Sequence, residues 1–454
     1  MASFGYLLCF CVLFLSSYWD KSCVYGAREL ANHQHVVNKK ESLMHVASTA
    51  CSASTKGLQI AHRYGPCSPL GQENPPPTFR EILQRDQSRV RSLYSTPSSS
   101  DISNDESEVG AKLALHDKGN FVVQVGFGTP KQDLTLMFDT GSYMTWIQCL
   151  PCTNCYDQEE PIFDPSKSST FSNPSCNTPT CPPYSIVYHD DSYTSGNYAK
   201  DTLTLSSTNV VHDFVFGCSK NNSATFGKVA GVLGVGQGDT SIMSQTLDNF
   251  GQEFCYCLPL RETSTGYLLF GIQAFETCSE PEISVPLITD LTGANHYFVK
   301  LVGITIGQKR LEISATGSLP STIVDSGTII SRLPGSVYAE LRSSFQELMS
   351  QYPKVDPDPL SLLDTCYDLS GYDDNIDNIV FPMTLHFGDS KDLKLDPSAV
   401  VSQDSNSQTV CLAFAGNDNS DDLTIIGNHQ QRNLKIYYSM LDKIVGFSTG
   451  GCGN

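Results

Sequence analysis

Beyond Lys112 the apolar positions fall in short runs rich in Val, Ile, Phe and Tyr, and Gly, Pro, Asn and Asp separate them. Examples are Phe121–Gly126, Leu134–Phe138, Thr202–Leu205, Phe214–Phe216, Tyr267–Phe270, Tyr297–Ile306 and Thr424–Ile426. Branched and aromatic residues suit a pleated surface and the separators suit turns, so these runs predict strands. Helical spacing is rare in this part of the chain, and Ser336–Ser350 is its best case. The stretch ahead of it reads differently. Pro75-Pro76-Pro77 precedes a predicted helix over Thr78–Leu93, with arginine at 80, 85, 89 and 91. A Ser/Asp/Glu run from Ser95 to Glu108 follows and predicts an exposed linker of the kind proteases cut. At the start, Tyr6–Leu15 is an apolar run too short to span a bilayer. It has the length of a signal-peptide core, with Val24-Tyr25-Gly26 as a tolerable cleavage site. A buried core helix is the competing reading. No other apolar run is long enough to cross a membrane, so no membrane anchor is expected.

The body also repeats itself. Phe121-Val-Val-Gln-Val-Gly-Phe-Gly-Thr leads to Leu136-Met-Phe-Asp139-Thr-Gly-Ser, and Tyr297-Phe-Val-Lys-Leu-Val-Gly-Ile-Thr leads to Thr322-Ile-Val-Asp325-Ser-Gly-Thr. Each half then carries an apolar pair followed by glycine, Val232-Leu233-Gly234 and Ile425-Ile426-Gly427. The expected organisation is a signal peptide over 1–26, a front segment over 27–110, and two β lobes over 111–293 and 294–454.

Composition narrows the field. A chain of 454 residues, 40% of them apolar, can bury sizeable cores and is not disordered. Its formal charge of −19 would repel phosphate backbones, so no nucleic-acid partner is expected. The charge is unevenly placed. Residues 27–100 hold nine basic and five acidic residues, a net +4, whereas residues 111–454 hold 19 basic and 38 acidic ones, a net −19. A basic front segment could therefore be held electrostatically on an acidic body and loosened by acid.

Of the seventeen cysteines, twelve lie in the body: Cys149, Cys152, Cys155, Cys176, Cys181, Cys218, Cys255, Cys257, Cys278, Cys366, Cys411 and Cys452. An even number suits disulfides and an oxidising compartment. Cys149, Cys152 and Cys155 could instead be zinc ligands, but no compact fourth ligand accompanies them and no metal is expected. Asn221-Asn222-Ser223 is a glycosylation sequon. The ten histidines form no recognisable Ser-His-Asp arrangement.

One Asp-Thr-Gly-Ser is an ordinary turn; two copies in parallel contexts 186 residues apart are not easily accidental. Two lobes could bring Asp139 and Asp325 together, where close carboxylates share a proton and their pKa values split. The ionised member can activate water while the protonated one polarises a peptide carbonyl. Gly141 and Gly327 permit tight turns, and the hydroxyls of Thr140, Ser142, Ser326 and Thr328 can lock the loops. No cofactor is needed for this chemistry.

From about Gly119 onward the sequence resembles the pepsin-like aspartic proteases, and within them the plant nepenthesin-type group. Phe138–Cys149 and Ile323–Thr328 look like the two active-site segments, Ile425–Asn433 and Val445–Phe447 like the C-terminal one. Cys149-x-x-Cys152-x-x-Cys155 with Pro161–Pro165 looks like that group's cysteine-rich insertion. His62-Arg-Tyr-Gly-Pro-Cys67 and Asp86-Gln-x-Arg-Val90 resemble plant propeptides of this type, including those of the chloroplast nucleoid DNA-binding protease-like group. The resemblance implies an all-β, bilobal pepsin-like acid protease fold, with two six-stranded-type β-barrel lobes and few short helices. It also implies a Cys366–Cys411 disulfide, a substrate-covering flap tyrosine at Tyr188, and Trp146 as that tyrosine's buried partner. His189 departs from the family, which usually has glycine after the flap tyrosine.

The expected function is a secreted aspartic endopeptidase acting at acid pH on protein or peptide substrates. It would be made as a zymogen whose own propeptide inhibits it, and would be monomeric. A silent binding protein on the same fold is the alternative, marked by loss of an aspartate, and both aspartates are present. The apoplast is the expected location, ahead of the vacuole or chloroplast.

Overall fold

The computed structural model describes residues 51, 57–71, 77–94, 120–173, 183–187, 193–223, 226–289, 295–313, 322–356, 361–372, 379–403, 408–419 and 422–452. All belong to one compact unit, His45–Asn454. The fold is all-β and bilobal, with few short helices. Of the sequence expectations, the signal peptide, the Ser/Asp/Glu linker, Cys176, Cys181, Tyr188 and His189 lie outside the described residues.

The expected runs are strands. The ones that position the site are β1 (Leu58–His62), β2 (Phe121–Phe127), β3 (Gln132–Asp139), β4 (Trp146–Gln148), β5 (Gly231–Gly234), β6 (Glu253–Cys257) and β7 (Thr265–Phe270). In the second half they are β8 (Thr322–Val324), β9 (Ser331–Leu333), β10 (Phe414–Gly416), β11 (Thr424–Ile426), β12 (Lys435–Ser439) and β13 (Ile444–Ser448). Most of the first half forms one thirteen-stranded ladder. It runs from Ile283–Pro286 through β13, β12, β6, β7, β1, β2, β3, β5 and β4 to the antiparallel strands Val210–Asn222, Tyr193–Thr204 and Pro183–Val187. The two lobes are thus joined through a continuous sheet, because β12 near the chain's end pairs with β6.

The front segment is built into this sheet. β1 lies between β7 and β2, antiparallel to both, with Ile60 opposite Gly266 on one side and Val123 on the other. Leu58, Ile60 and Ala61 are buried, and the His62 ring meets Phe121 edge-on at 5.6 Å. Arg63 follows, its backbone N–H on the Asn120 carbonyl at 2.6 Å and its guanidinium on the Phe226 carbonyl at 2.8 Å. A Cys51–Cys67 disulfide brackets the strand.

The predicted front helix is α1 (Phe79–Tyr94). Thr78 and Glu81 form a reciprocal cap: the Thr78 N–H donates to the Glu81 carboxylate at 2.7 Å, and the Glu81 N–H donates to the Thr78 hydroxyl at 3.2 Å. Leu83, Val90 and Leu93 make its buried stripe at helical spacing. Leu83 packs with Ile329, Ile330 and Leu363, while Val90 and Leu93 pack with Phe298, Ile323 and Ile425. Each such side chain contributes roughly 2 kcal/mol when fully buried. The predicted helix over Ser336–Ser350 is α2 (Gly335–Leu348).

Disulfides join Cys149–Cys218, Cys152–Cys155, Cys255–Cys278, Cys257–Cys452 and Cys366–Cys411. The three clustered cysteines are therefore disulfide partners, and the Cys366–Cys411 pair implied by the resemblance is present.

Because β1 is an interior strand, Ile60→Ala in the full-length chain should cost about 2–5 kcal/mol by opening a cavity. The expected readout is a thermal midpoint several degrees lower at pH 7. An unchanged midpoint would mean that β1 is not part of the folded sheet.

Candidate active site

Each aspartate sits at the end of a strand held from one side by a parallel partner. Asp139 ends β3, which runs parallel to β5 with Asp139 opposite Gly234. Asp325 directly follows β8, which runs parallel to β11 with Val324 opposite Ile426. The strand beyond each loop, β4 or β9, pairs antiparallel with the same partner, β5 or β11. The apolar-pair-plus-glycine segments of the repeat are thus the strands beside the two aspartate loops.

The loops lock onto one another. The Thr140 N–H donates to the Ser326 hydroxyl at 3.0 Å, and the Ser326 N–H donates to the Thr140 hydroxyl at 2.9 Å. Those hydroxyls donate onward to the Val324 and Phe138 carbonyls. Asp139 accepts from the Gly141 N–H at 2.9 Å and from the Ser142 hydroxyl. Asp325 accepts from the Gly327 N–H at 2.8 Å and the Thr328 hydroxyl at 2.6 Å. A Cβ at Gly141 would fall on the Asp325 carboxylate, and one at Gly327 on Asp139, so only glycine lets the loops close this tightly.

Between the carboxylates lies Arg89 of α1, fully buried. Its Nη1 and Nη2 donate to both Asp139 oxygens at 2.9 Å. Nη2 also donates to the Asp325 oxygens at 3.0 and 3.1 Å, and Nε to Asp325 Oδ2 and the Thr328 hydroxyl at 3.3 Å. Two close carboxylates were expected to share a proton; here the guanidinium takes that proton's place. Burial opposes ionisation of Asp325, but Arg89, the Thr328 hydroxyl and the Gly327 N–H together hold its carboxyl below the usual range. Burial also disfavours the Arg89 cation, and the two carboxylates more than compensate, pushing its pKa above the ordinary arginine value.

One helical turn earlier, Asp86 is buried too. Its Oδ1 accepts from the Ile329 N–H at 2.6 Å, and its Oδ2 from the Ile330 N–H at 3.3 Å and from Arg332 Nη2 at 2.9 Å. At the end of α1 the Tyr94 hydroxyl donates to Asn417 Oδ1 at 2.7 Å and the Leu423 carbonyl at 2.9 Å. The sequence carries one signal for these contacts: the spacing in Asp86-Gln-x-Arg-Val90 puts Asp86 and Arg89 on one helix face.

The remaining expected residues are placed as follows. Trp146 is buried against Phe226, ring centroids 5.0 Å apart, and its Nε1 has no hydrogen-bond partner among the described residues. Tyr188 lies outside those residues; the strands flanking it, Pro183–Val187 and Tyr193–Thr204, pair antiparallel with Val187 opposite Tyr193. Asn221 stands near the end of its strand, where its Oδ1 accepts from the Tyr193 hydroxyl at 3.1 Å. His62 and His429 are buried and pushed down to about 3, mainly by burial. Burial likewise lowers His296, near the dyad, where Asp325 and Asp139 oppose the shift and Arg89 adds to it.

Two family models match the chain, described as xylanase inhibitor N-terminal over residues 121–272 and xylanase inhibitor C-terminal over residues 296–449. Among curated relatives, the Arabidopsis thaliana aspartyl protease AED1 is 41% identical over 426 residues, covering 90% of this chain and 89% of that protein. Nepenthesin-1, an aspartic proteinase of Nepenthes gracilis, is 32% identical over 359 residues, covering 74% and 78%. Among solved structures, basic 7S globulin from soybean aligns with a TM-score of 0.58 at 17% identity, over 73% of this chain and 93% of that one, a likeness of fold alone. With relatives named as aspartic proteases matching across most of its length, and a pair of aspartates on interlocked Asp-Ser/Thr-Gly loops, the chain belongs to the plant pepsin-like aspartic protease family.

Proposed function

We propose that the protein is an aspartic endopeptidase in zymogen form, with Asp139 and Asp325 as the catalytic pair and α1 as its own inhibitor. The observation that carries this reading is the Arg89 guanidinium shared between the two carboxylates. It fills the place where water and a scissile carbonyl would sit and neutralises the groups that would act on them. Without Arg89 the carboxylates return to sharing one proton. The ionised member then takes a proton from water, the protonated member hydrogen-bonds the carbonyl, and the tetrahedral intermediate collapses as the leaving amine is protonated. Thr140, Ser326 and the two glycines keep the carboxylates in register throughout. Tyr188 is the proposed flap residue, and an extended peptide is the substrate. Secretion fits the disulfides, which persist in oxidising compartments. The family models' description favours a second reading, an inhibitor-like binding protein; the intact aspartate pair, and an arginine devoted to covering it, weigh against that reading.

The pH dependence follows in sign. Asp325 has a lower pKa with α1 docked than without it, so the docked state binds protons less readily. Docking is therefore supported above the ordinary carboxyl range near about 4 and loses that support as pH falls through it. Full-length protein should leave a denatured protein substrate intact at pH 7 and begin to cleave it below about pH 4 to 5, with a new N-terminus beyond residue 94. Cleavage at neutral pH with the front segment still attached would overturn the inhibitory role of α1.

Asp139→Asn and Asp325→Asn should each lower cleavage by the acid-treated protein roughly a thousandfold or more, with folding checked by circular dichroism. Retained activity in either variant would rule out the dyad.

Arg89→Gln removes the cation from a buried ion cluster, a loss on the order of 3–5 kcal/mol of docking free energy. The midpoint of activation should then move up by about two to four pH units. An activation profile identical to wild type would mean that Arg89 does not hold the zymogen.

A further inference from the structure

Asp86 occupies a receptor that belongs to the body of the molecule. Its carboxylate is held by two backbone N–H groups, Ile329 and Ile330, and by the Arg332 guanidinium. Arg332 lies on β9, whose backbone pairs with β11, so it stays in place whatever α1 does. Its side chain is 1% exposed. Among the described residues its Nη1 donates to the Ile330 carbonyl at 2.7 Å and its Nη2 to Asp86 and Gln87, while Nε has no partner. Both of its side-chain partners are on α1.

When α1 leaves, the arginine and two aligned N–H donors lose the carboxylate they hold and face the vacated groove. A guanidinium and two backbone donors converging on one point favour a carboxylate, so the place is prepared for another anion. The contact is not closely packed on its far side: with α1 docked, a cavity of about 230 Å³ adjoins Arg332, lined by Gln87, Val90, Arg91 and Tyr94 of α1 and by Asn417 and Asp422 of the body. The charged or titratable groups around it are Asp86, Arg91 and Tyr94 from α1, and Asp418 and Asp422 from the segment after β10. The Asp422 carboxylate accepts from the Asn419 N–H at 3.0 Å and from its amide, and neither Asp418 nor Asp422 is hydrogen-bonded to Arg332. Asp86 precedes Arg89 by three residues, about 4.5 Å along the helix axis. An extended peptide advances about 3.3 Å per residue, so a substrate anion here lies within about three residues of the scissile bond.

Resting on the protease reading above, we infer that Arg332, with the Ile329 and Ile330 N–H groups, forms a subsite for an acidic side chain of the substrate, and that Asp86 of the propeptide occupies it in advance. The released enzyme thus prefers Glu or Asp at one position near the cut, and the propeptide is held at that subsite as well as at the dyad.

The test uses acid-processed protein and paired peptides that differ only by Glu or Gln at single positions within three residues of the cut. At pH 5 one position should show kcat/KM about tenfold higher for Glu than for Gln. At pH 3, where the Glu side chain is protonated, the ratio should fall to about twofold or less. Arg332→Gln should bring the pH 5 ratio to near one whatever its absolute rates, and Arg332→Lys should keep part of it. Affinities of the same peptides for Asp139→Asn protein, cut between residues 95 and 108 by an added protease and unable to turn them over, read the subsite independently and should also favour Glu about tenfold. A ratio near one at every position in wild type, or one unchanged by Arg332→Gln, overturns the subsite while leaving the protease standing. Cleavage of no peptide by wild type, with the Glu preference still present in binding, overturns the protease reading and leaves the acidic subsite.

Discussion

A single guanidinium buried between two carboxylates is the interaction on which the rest of this structure depends. Asp139 and Asp325 are both almost wholly buried, and carboxylates so placed repel one another unless a cation stands between them. Arg89 supplies one positive charge against two negative ones. The remaining negative charge is met by the donors already in the loops: two glycine N–H groups, Ser142 and Thr328. An arginine that reaches this point needs a rigid carrier. The capped helix α1, seated through Leu83, Val90 and Leu93, is that carrier, and Asp86 and Tyr94 pin it before and after Arg89.

The two aspartate loops are also held together by contacts of their own. The cross-bonds between Thr140 and Ser326 join one aspartate loop to the other and involve no atom of the front segment. The parallel strands β5 and β11 fix each aspartate from behind. Arg89 therefore docks onto a pair of loops that are bonded to one another by contacts of their own.

Legibility in the sequence followed locality. The aspartate loops, their glycines and the Val232-Leu233-Gly234 and Ile425-Ile426-Gly427 segments could be found because the repeat writes them twice. Strand runs such as Phe121–Phe127 and Thr424–Ile426 carry their own β signature. What could not be read depends on contacts between distant segments. Arg89 is one of four arginines on one predicted helix; its spacing from Asp86 puts the two on one face, but nothing local says what that face meets. Arg332 stands in an ordinary Ser-Arg-Leu strand until Asp86, 246 residues earlier, is placed against it. β1 was hidden for a similar reason: Leu58–His62 is a short run outside the β-rich body, and its role as an interior strand comes from β2 and β7 on either side.

The charge contrast between the front segment and the body was read as a diffuse attraction, and the structure replaces it with a local one. Between exposed charges at physiological ionic strength, attraction is screened beyond about 8 Å, so a net +4 facing a net −19 would be weak and sensitive to salt. Arg89 and Asp86 meet their partners at 2.9–3.0 Å in fully buried surroundings, where screening is slight. Salt should therefore loosen the front segment little. What seats it is a pair of buried, short-range contacts, Arg89 on the two aspartates and Asp86 on Arg332, and the overall charge contrast adds little to them.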